Sequence, residues 1–438
     1  MPFLKKIIVT ILMFEAWAIL KKYKPMIVAV TGSVGKTSTK DAIYDLLKDQ
    51  SKFVRKSEKS MNSEIGLPLT IIGAPNAWHS LSGWLSNIWK GLWLILKKKD
   101  YPDCLILEIG ADHPGDIRKV TKWLRPDISV ITRISAKPVH VEFFHSPEQV
   151  FEEKAALAEA VKEGGTLILF ADEEKVISLG ERVKSKNVKV ITFGFHQTAT
   201  VRASEQNFQY ENEEGGSCAP LGLTFNLNMN GSTFPIILKG VAGQSIIYSL
   251  LAAAAVGQAR SIPEALIAKL LGDFEAPHGR TNLIPGLNSS TIIDDTYNSS
   301  PDAAKAALES LKNIQTTGTK IAVLGDMMEL GKYAVEEHRL IGKLAVTIVG
   351  RLITVGSRSR LTAEEALKDG FPPAKVEKYD TAIQVAEALV KSIQPGDVVL
   401  VKGSQSMRME RVVKALLKEP EKADRLLVRQ EREWLEKN

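Results

Sequence analysis

Cysteine is scarce: only Cys104 and Cys218 occur in 438 residues. A disulfide-braced secreted scaffold and a cysteine zinc cage are therefore excluded, and the usage fits a reducing cytosol. Long hydrophobic runs are also missing. The apolar stretch from Ile7 to Leu20 is interrupted by Thr10 and Glu15 and flanked by Lys5, Lys6, Lys21 and Lys22. It falls short of the roughly 20 apolar residues of a membrane span, and no clear small-residue cleavage site follows it. Residues 1–25 are expected to form a helix that docks on the protein or lies in a membrane interface. No repeat of solenoid period is present. Neither charge sign dominates: 57 Lys and Arg against 51 Asp and Glu leave a net charge of +6. That mild excess suits anionic small substrates, a lipid surface or nucleic acid equally. A hydrophobic content of 44% with 25% charged residues excludes a mostly disordered chain.

What is present is alternation. Met26–Thr31 is a short β-branched run leading into a glycine-containing loop and then a helix from Thr39 to Leu47. Further strands are predicted at 105–109, 128–131, 166–170 and 188–192, with a helix over 147–161. This order implies a parallel sheet covered by helices. Between Thr200 and Leu238 polar and apolar residues alternate, with turn signals at Gly215-Gly216 and Asn230-Gly231, which predicts β-hairpins inserted at the domain edge. An alanine-rich helix follows at 244–259. A boundary is expected near Ala276–Gly279, giving a central domain over 26–276. A second α/β domain is expected over 277–417, from strands at 291–294, 320–324, 352–355 and 398–401. Residues 418–438 are charge-rich and read as a solvated helix.

The strongest chemical signal is Gly32-Ser33-Val34-Gly35-Lys36-Thr37 between strand and helix. Glycines let backbone N–H groups approach phosphate oxygens, and the helix N-terminus adds positive potential. Lys36 can neutralise terminal phosphates and the Thr37 hydroxyl can ligate Mg²⁺. The spacing is shorter than the common phosphate loop, since Val30 and Thr31 stand where its first glycine would be.

This short form resembles the Mur ligase superfamily of ATP-dependent amide ligases. Further segments agree in order. Met61-Asn62-Ser63-Glu64-Ile65-Gly66, Leu107-Glu108-Ile109-Gly110-Ala111 and Asp294-Asp295-Thr296-Tyr297-Asn298 resemble the branch that adds D-alanyl-D-alanine to UDP-N-acetylmuramoyl-tripeptide. So do Leu324-Gly325-Asp326-Met327, with His338, and Val401-Lys402-Gly403-Ser404. The resemblance implies a central phosphate-loop domain with a parallel sheet and a β-hairpin insertion, followed by a Rossmann-like C-terminal α/β domain. It implies ATP binding by Gly32, Ser33, Val34, Gly35, Lys36, Thr37, Ser38, Ser249, Arg280, Asp295, Tyr297 and Asn298. Mg²⁺ ligands would be Thr37, Glu108, His140 and a carbamylated Lys154. Catalytic roles would fall to Lys36, Glu108, His140 and Lys154, and substrate contacts to Asn62, Glu64, Asp326, Lys402 and Ser404. The implied partners are a muramoyl-peptide acceptor and a dipeptide amine. No nucleic acid is expected, and the protein is expected to be a cytoplasmic monomer with peripheral membrane contact.

Three departures from that pattern stand out. Gly32 lies close to the N-terminus, so the UDP-sugar-binding domain of this branch is expected to be missing. Ser245, Ile246 and Ser249 replace polar residues expected to face adenine. Leu81–Leu96 is extra: Leu81, Trp84, Leu85, Ile88, Trp89, Leu92, Trp93 and Leu96 recur at helical spacing before Lys97-Lys98-Lys99. That segment, 81–99, suits a membrane interface or a helix packed on the domain. Competing functional readings are ligation to a lipid-linked muropeptide or poly-γ-glutamate, and a nucleotide-gated membrane-associated binding protein.

Overall fold

A computed structural model describes residues 2–58, 61–78, 80–134, 143–144, 146–212 and 218–436. The first sheet comprises β1 (Met26–Thr31), β2 (Val54–Lys56), β3 (Cys104–Glu108), β4 (Ile128–Ile131), β5 (Thr166–Phe170), β6 (Lys189–Gly194), β7 (Val201–Asn212), β8 (Cys218–Met229) and β9 (Ser232–Lys239). Its spatial order is β2-β3-β1-β4-β5-β6-β7-β8-β9. The strands from β2 to β7 pair in parallel, and β7, β8 and β9 pair antiparallel. Apolar strands such as β1, β3 and β5 are buried along almost their whole length, as two-faced burial in a parallel sheet requires. Asn230 and Gly231, with φ of 47° and 84°, form the two-residue turn between β8 and β9. The Gly215-Gly216 turn signal lies outside the described residues.

The second sheet holds β10 (Asn282–Pro285), β11 (Thr291–Asp295), β12 (Lys320–Gly325), β13 (Arg351–Val355), β14 (Val376–Tyr379) and β15 (Val398–Lys402), in the order β10-β11-β15-β12-β13-β14. Only β10 is antiparallel. The helices that matter below are α1 (Pro2–Tyr23), α2 (Lys36–Leu47), α3 (Gly66–Ile72), α4 (Leu81–Leu96), α5 (Asp116–Val120), α6 (Pro147–Glu159), α7 (Glu174–Ile177), α8 (Gln244–Ala259), α9 (Glu264–Gly272), α10 (Pro301–Asn313) and α11 (Ala334–Val346). One apolar core gathers buried residues from Leu12 to Phe274, and two further clusters line the faces of the second sheet.

Three short strands, β2, β10 and β14, escape a pattern reading. β2 (Val-Arg-Lys) and β14 (Val-Glu-Lys-Tyr) carry charges because each is a sheet edge. The tail also differs from the solvated helix read from its charges. Leu427 and Val428 are buried, and the buried guanidinium of Arg429 donates to the carbonyls of Thr296 (2.7 Å) and Tyr297 (3.0 Å). Among its described residues the tail forms only short helical turns, at Pro420–Lys422, Ala423–Leu426 and Arg432–Leu435. Charge content alone hides this docking, because the apolar residues that drive it are few and adjacent.

The N-terminal helix packs on the protein. Leu12, Ala16 and Ile19 of α1 are fully buried, and α1 lies against α3 and α4. Among the described residues, no helix is long and apolar enough to cross a membrane.

Candidate active site

Both sheets present the carboxyl ends of their strands to a shared cleft of about 330 Å³, the usual ligand position in open α/β sheets. In the first sheet, β1 sits between β3 and β4. Its loop therefore emerges beside Glu108, which ends β3, and Thr132, which follows β4. Gly32 cannot carry a side chain: its φ is 149°, and an added Cβ would meet the Thr132 hydroxyl oxygen at 1.9 Å. Thr132 Oγ1 donates to the Val34 carbonyl (2.8 Å) with the Thr31 carbonyl also within reach (3.2 Å), while Ser33 N–H donates to the Arg133 carbonyl (2.7 Å). The loop is thus fixed from the neighbouring strand. Gly35, with φ of 85°, caps α2 with no side-chain bond, leaving the first N–H groups of the helix free of a side-chain acceptor. Ser33 Oγ is buried and has no hydrogen-bond partner among the described residues. An anion in the loop would satisfy these donors.

Two ammonium groups converge on one carbonyl. Lys36 Nζ donates to Gly32 O at 2.9 Å, and Lys154 Nζ donates to the same oxygen at 3.0 Å. Lys154 is carried there by α6, which begins at the Ser146 cap with Pro147 in its first turn. The adjacent Glu153 carboxylate accepts from the N–H groups of Gly115 (2.9 Å) and Arg118 (3.0 Å), locking α6 against the start of α5. Burial lowers the Lys154 pKa to about 7, helped by the nearby positive charge of Lys36 and opposed by Asp112 and Glu153. Burial also lowers the pKa of Lys36. Glu108 opposes that shift, Arg280 adds to it, and Asp112 opposes it.

Glu108 is buried, yet its carboxylate is poorly paired. It accepts one long bond from Asn62 Nδ2 (3.4 Å), and Lys40 Nζ lies 4.0 Å away, held chiefly by the Ser57 carbonyl at 2.8 Å. The carboxylate and the Thr37 hydroxyl both line the cleft. One or two protein oxygens completed by phosphates and water suit Mg²⁺, so this donor set fits the ion. Among the described residues no group of three or more His, Cys, Asp or Glu could hold a metal. His140 lies outside the described residues.

The second domain closes the cleft. The Arg280 guanidinium stacks 4.1 Å over the Tyr297 ring, and Tyr297 N–H donates to Gly279 O at 3.0 Å. Lys402, almost fully buried, donates to Asp295 (2.6 Å) and to the Asn298 carbonyl (3.0 Å). Its charge thus holds the loop after β11. Asp326 and Ser404 do not line the cleft. Asp326 accepts from Ser359 N–H (2.7 Å), and Ser404 Oγ accepts from Met328 N–H (2.9 Å), tying together the loops after β12, β13 and β15. His338 bridges Met327 N–H (3.0 Å) and the Ala334 carbonyl (2.7 Å), and burial keeps its pKa low, so it is a neutral brace. Glu64 is exposed outside the cleft lining.

Of the residues singled out from sequence, Ser33 to Ser38, Asn62, Glu108, Ser249, Arg280, Asp295, Tyr297, Asn298 and Lys402 meet at the cleft. Gly32 and Lys154 lie just beneath them. Sequence reasoning missed Thr132 and Arg133, whose position after β4 was the available signal. It also missed an apolar slot. Phe170, Phe193 and Tyr248 face Ala303, Ala306 and Ala307 of α10 across the cleft. Tyr248 is fixed edge-on against Phe170 (4.8 Å between centroids), with its hydroxyl on Asp172 at 2.8 Å. Ser245 and Ser249 reach the lining, whereas Ile246 is buried behind it.

The family profile described as Mur ligase middle domain matches residues 30–82 and 90–257. The profile described as Mur ligase, glutamate ligase domain matches 279–405. The chain belongs to the Mur ligase family. Members of this family are ATP-dependent ligases, and the two matched regions coincide with the two sheets that form the cleft. The chain is 30% identical over 416 residues to a UDP-N-acetylmuramoyl-tripeptide–D-alanyl-D-alanine ligase of Mycobacterium tuberculosis (strain CDC 1551 / Oshkosh), covering 89% of this chain and 72% of that protein. The Bacillus subtilis (strain 168) ligase of the same name is 29% identical over 406 residues, covering 92% and 79%. Among solved structures, the MurF ligase of Thermotoga maritima in complex with ADP superposes with a TM-score of 0.74 at 26% identity, covering 95% of this chain and 84% of that one. Residues 83–89, within α4, fall between the two matched blocks of the middle-domain profile.

Proposed function

We propose that this ligase joins the carboxylate of a muramoyl tripeptide to the amine of D-alanyl-D-alanine at the expense of ATP. A carboxylate oxygen of the acceptor attacks the γ-phosphorus and ADP leaves. The amine nitrogen then attacks the acyl carbon, the acyl C–O bond breaks, inorganic phosphate departs, and the nitrogen loses a proton. The observation that carries this reading is the convergence of the phosphate loop, Lys36 and Glu108 with Arg280 and Asp295 of the second domain on one cleft.

Lys36 offsets charge on the transferring phosphoryl group, and Arg280 approaches from the opposite wall. The slot of Phe170, Phe193, Tyr248 and the α10 alanines takes the flat apolar face of the base, with Ser245 and Ser249 as polar contacts. Thr37 and Glu108 would hold Mg²⁺, which when bound supplies positive charge to phosphate oxygens. Lys154 would serve as a carbamate. An amine with a pKa near 7 is substantially neutral at neutral pH, the form that adds to CO₂ to give an anionic group. Asn62, beside Glu108, faces the acceptor. The enzyme would act as a monomer in the cytoplasm, at the inner face of the membrane.

The test is phosphate release from ATP with muramoyl tripeptide, with and without its UDP group, and D-alanyl-D-alanine. Release that requires both partners supports the reading. Release stimulated only by oligo-γ-glutamate and glutamate would move the chain to a different acceptor class. Nucleotide binding without any turnover would leave a nucleotide-gated binding protein.

A further inference from the structure

Helix α4 has two faces, and only one is used within the chain. Asn87, Gly91 and Leu94 point inward and are buried. Gly91 is a requirement of that packing, because a Cβ there would meet the Glu15 carboxyl of α1 at 2.2 Å. Asn87 Nδ2 donates to the Pro75 carbonyl (2.8 Å), and Lys90 Nζ donates to the Gly73 carbonyl. The Ser80 hydroxyl caps the N-terminus of α4. At the other end Lys22 Nζ donates to the carbonyls of Leu94 (2.9 Å), Ile95 (2.9 Å) and Lys97 (2.7 Å), and the Tyr23 hydroxyl joins it on Leu94 (3.0 Å). A cation on the last carbonyls also complements the helix dipole. The helix is therefore held at both ends and along one side.

The opposite face is apolar and bare. Leu81, Leu85, Trp89 and Leu96 are each more than 60% exposed, and Leu92 and Trp93 lie between them at 38% and 39%. These positions share one helical stripe. Such a pre-formed stripe on a soluble domain marks an interaction surface. Its charge says which kind. The sequence of α4 contains no Asp or Glu, while Lys97, Lys98 and Lys99 follow it, all exposed. The ammonium groups of Lys97 and Lys99 lie 5.9 and 5.5 Å from the Trp93 ring centroid. On the adjoining α1, Phe14 is 62% exposed and Lys21 sits 4.1 Å over Trp17. Aromatic rings beside lysines, with Asp100 the one exposed carboxylate adjoining the lysine run, match the boundary between headgroups and acyl chains of an anionic bilayer. An isologous dimer fits less well, because the patch carries a net positive charge, three lysines against Asp100, that its own copy would repel.

We infer that the outer face of α4 docks the enzyme on an anionic lipid surface, with its apolar stripe in the headgroup layer and Lys97–Lys99 on the phosphates. Residues 83–89, which the family profile passes over, lie in this helix. The inference is independent of the ligation reading, since it concerns a surface away from the cleft lining.

The experiment is flotation of the full chain with vesicles of phosphatidylcholine alone or mixed with phosphatidylglycerol. The Leu85→Ser/Trp89→Ser and Lys97→Gln/Lys98→Gln/Lys99→Gln variants are compared with the native chain. Circular dichroism and the ADP-induced rise in unfolding temperature confirm that each variant is folded. The expected result is binding to the anionic vesicles that weakens with salt, drops at least about tenfold in the apolar variant, and loses its preference for anionic lipid in the lysine variant. No flotation of the native chain, or equal flotation of all three proteins, overturns the inference. So does a dimer in sedimentation that the apolar variant abolishes while vesicles go unbound, which would assign the stripe to a second copy. None of these readouts uses the ligase substrates, so a failure here leaves the phosphate-release test untouched.

Discussion

Gly32→Ala tests whether the phosphate loop is held by the neighbouring strand as described. The added methyl would stand 1.9 Å from Thr132 Oγ1, 3.0 Å from Thr132 Cβ and 3.1 Å from the Arg133 carbonyl. Comfortable separations are about 3.5 Å, so the hydroxyl must move by about 1.5 Å. Rotating Thr132 away sacrifices its one donated bond, directed at Val34 O with Thr31 O close by, at ~1 kcal/mol. It leaves the Cβ and carbonyl contacts in place. The backbone conformation, at a φ of 149°, adds ~1 kcal/mol or more for a residue with a side chain. The total is roughly 2–3 kcal/mol if the loop stays put. The alternative is a loop that shifts and gives up the 2.7 Å bond from Ser33 N–H to Arg133 O. Either way the unfolding temperature should fall by several degrees, and the affinity for ADP, read by calorimetry, should fall at least about tenfold. Adding Thr132→Ala removes the closest contact and should restore part of both. A Gly32→Ala protein with native unfolding temperature and native ADP affinity would refute this account of the loop.

Lys36→Ala and Glu108→Gln should each lower ligation by about 100-fold or more with little change in circular dichroism; near-native amide formation in either would remove them from the phosphoryl-transfer machinery. Lys154→Ala should be almost inactive, with partial recovery in short carboxylates, and ¹³C-labelled bicarbonate should give a carbamate signal in the native chain only. Full activity in a CO₂-stripped preparation with no carbamate by mass spectrometry would sink that role. Glu15 supplies a pH test. Its carboxyl, buried between α1 and α4 with Oε2 without a hydrogen-bond partner among the described residues, is pushed up to about 7 by burial. The folded state therefore holds the proton more tightly than the unfolded chain, so this contribution to stability is present at low pH and disappears as pH rises through about 7. Relative to Glu15→Gln, the native chain should lose stability between pH 5 and pH 8 in urea unfolding; parallel pH profiles for the two proteins would count against a buried, protonated Glu15.

The legible parts of this chain are those in which chemistry and structure share one short stretch. Strand β1, its loop and α2 are contiguous, so Gly32, Lys36 and Thr37 are readable from local pattern alone. Glu108 ends an apolar run and Asp295 ends another, which is enough to place carboxylates at strand ends. Lys154 is different. Nothing near it in sequence distinguishes it from a solvated lysine, and its meaning comes from Gly32 O, 122 residues away. The resemblance to a family singled it out, and the fold buries it beside Lys36 on the Gly32 carbonyl. The roles of Asp326, Ser404 and His338 were unreadable for the opposite cause. Their residue types suggest chemistry, and only the fold reveals that they spend their hydrogen bonds on neighbouring loops. The tryptophan helix fell between these cases, because helical spacing identifies an apolar stripe but not which of two stripes finds a partner within the chain.

The loop after β11 is the piece that couples the tail to the site. Lys402 grips it through Asp295 and the Asn298 carbonyl, Arg280 lies over Tyr297, and Arg429 holds the Thr296 and Tyr297 carbonyls from behind. Arg429 in turn lies 3.7 Å from Glu410, which accepts from Arg408 at 2.6 Å. A loop fixed by three cations from three segments cannot adjust to a nucleotide one residue at a time. The same wall is pinned at the domain junction by Gly279, where φ is 70° and a Cβ would crowd Tyr297 N at 3.0 Å. The tail, far from being a solvated appendage, is part of what makes that wall rigid.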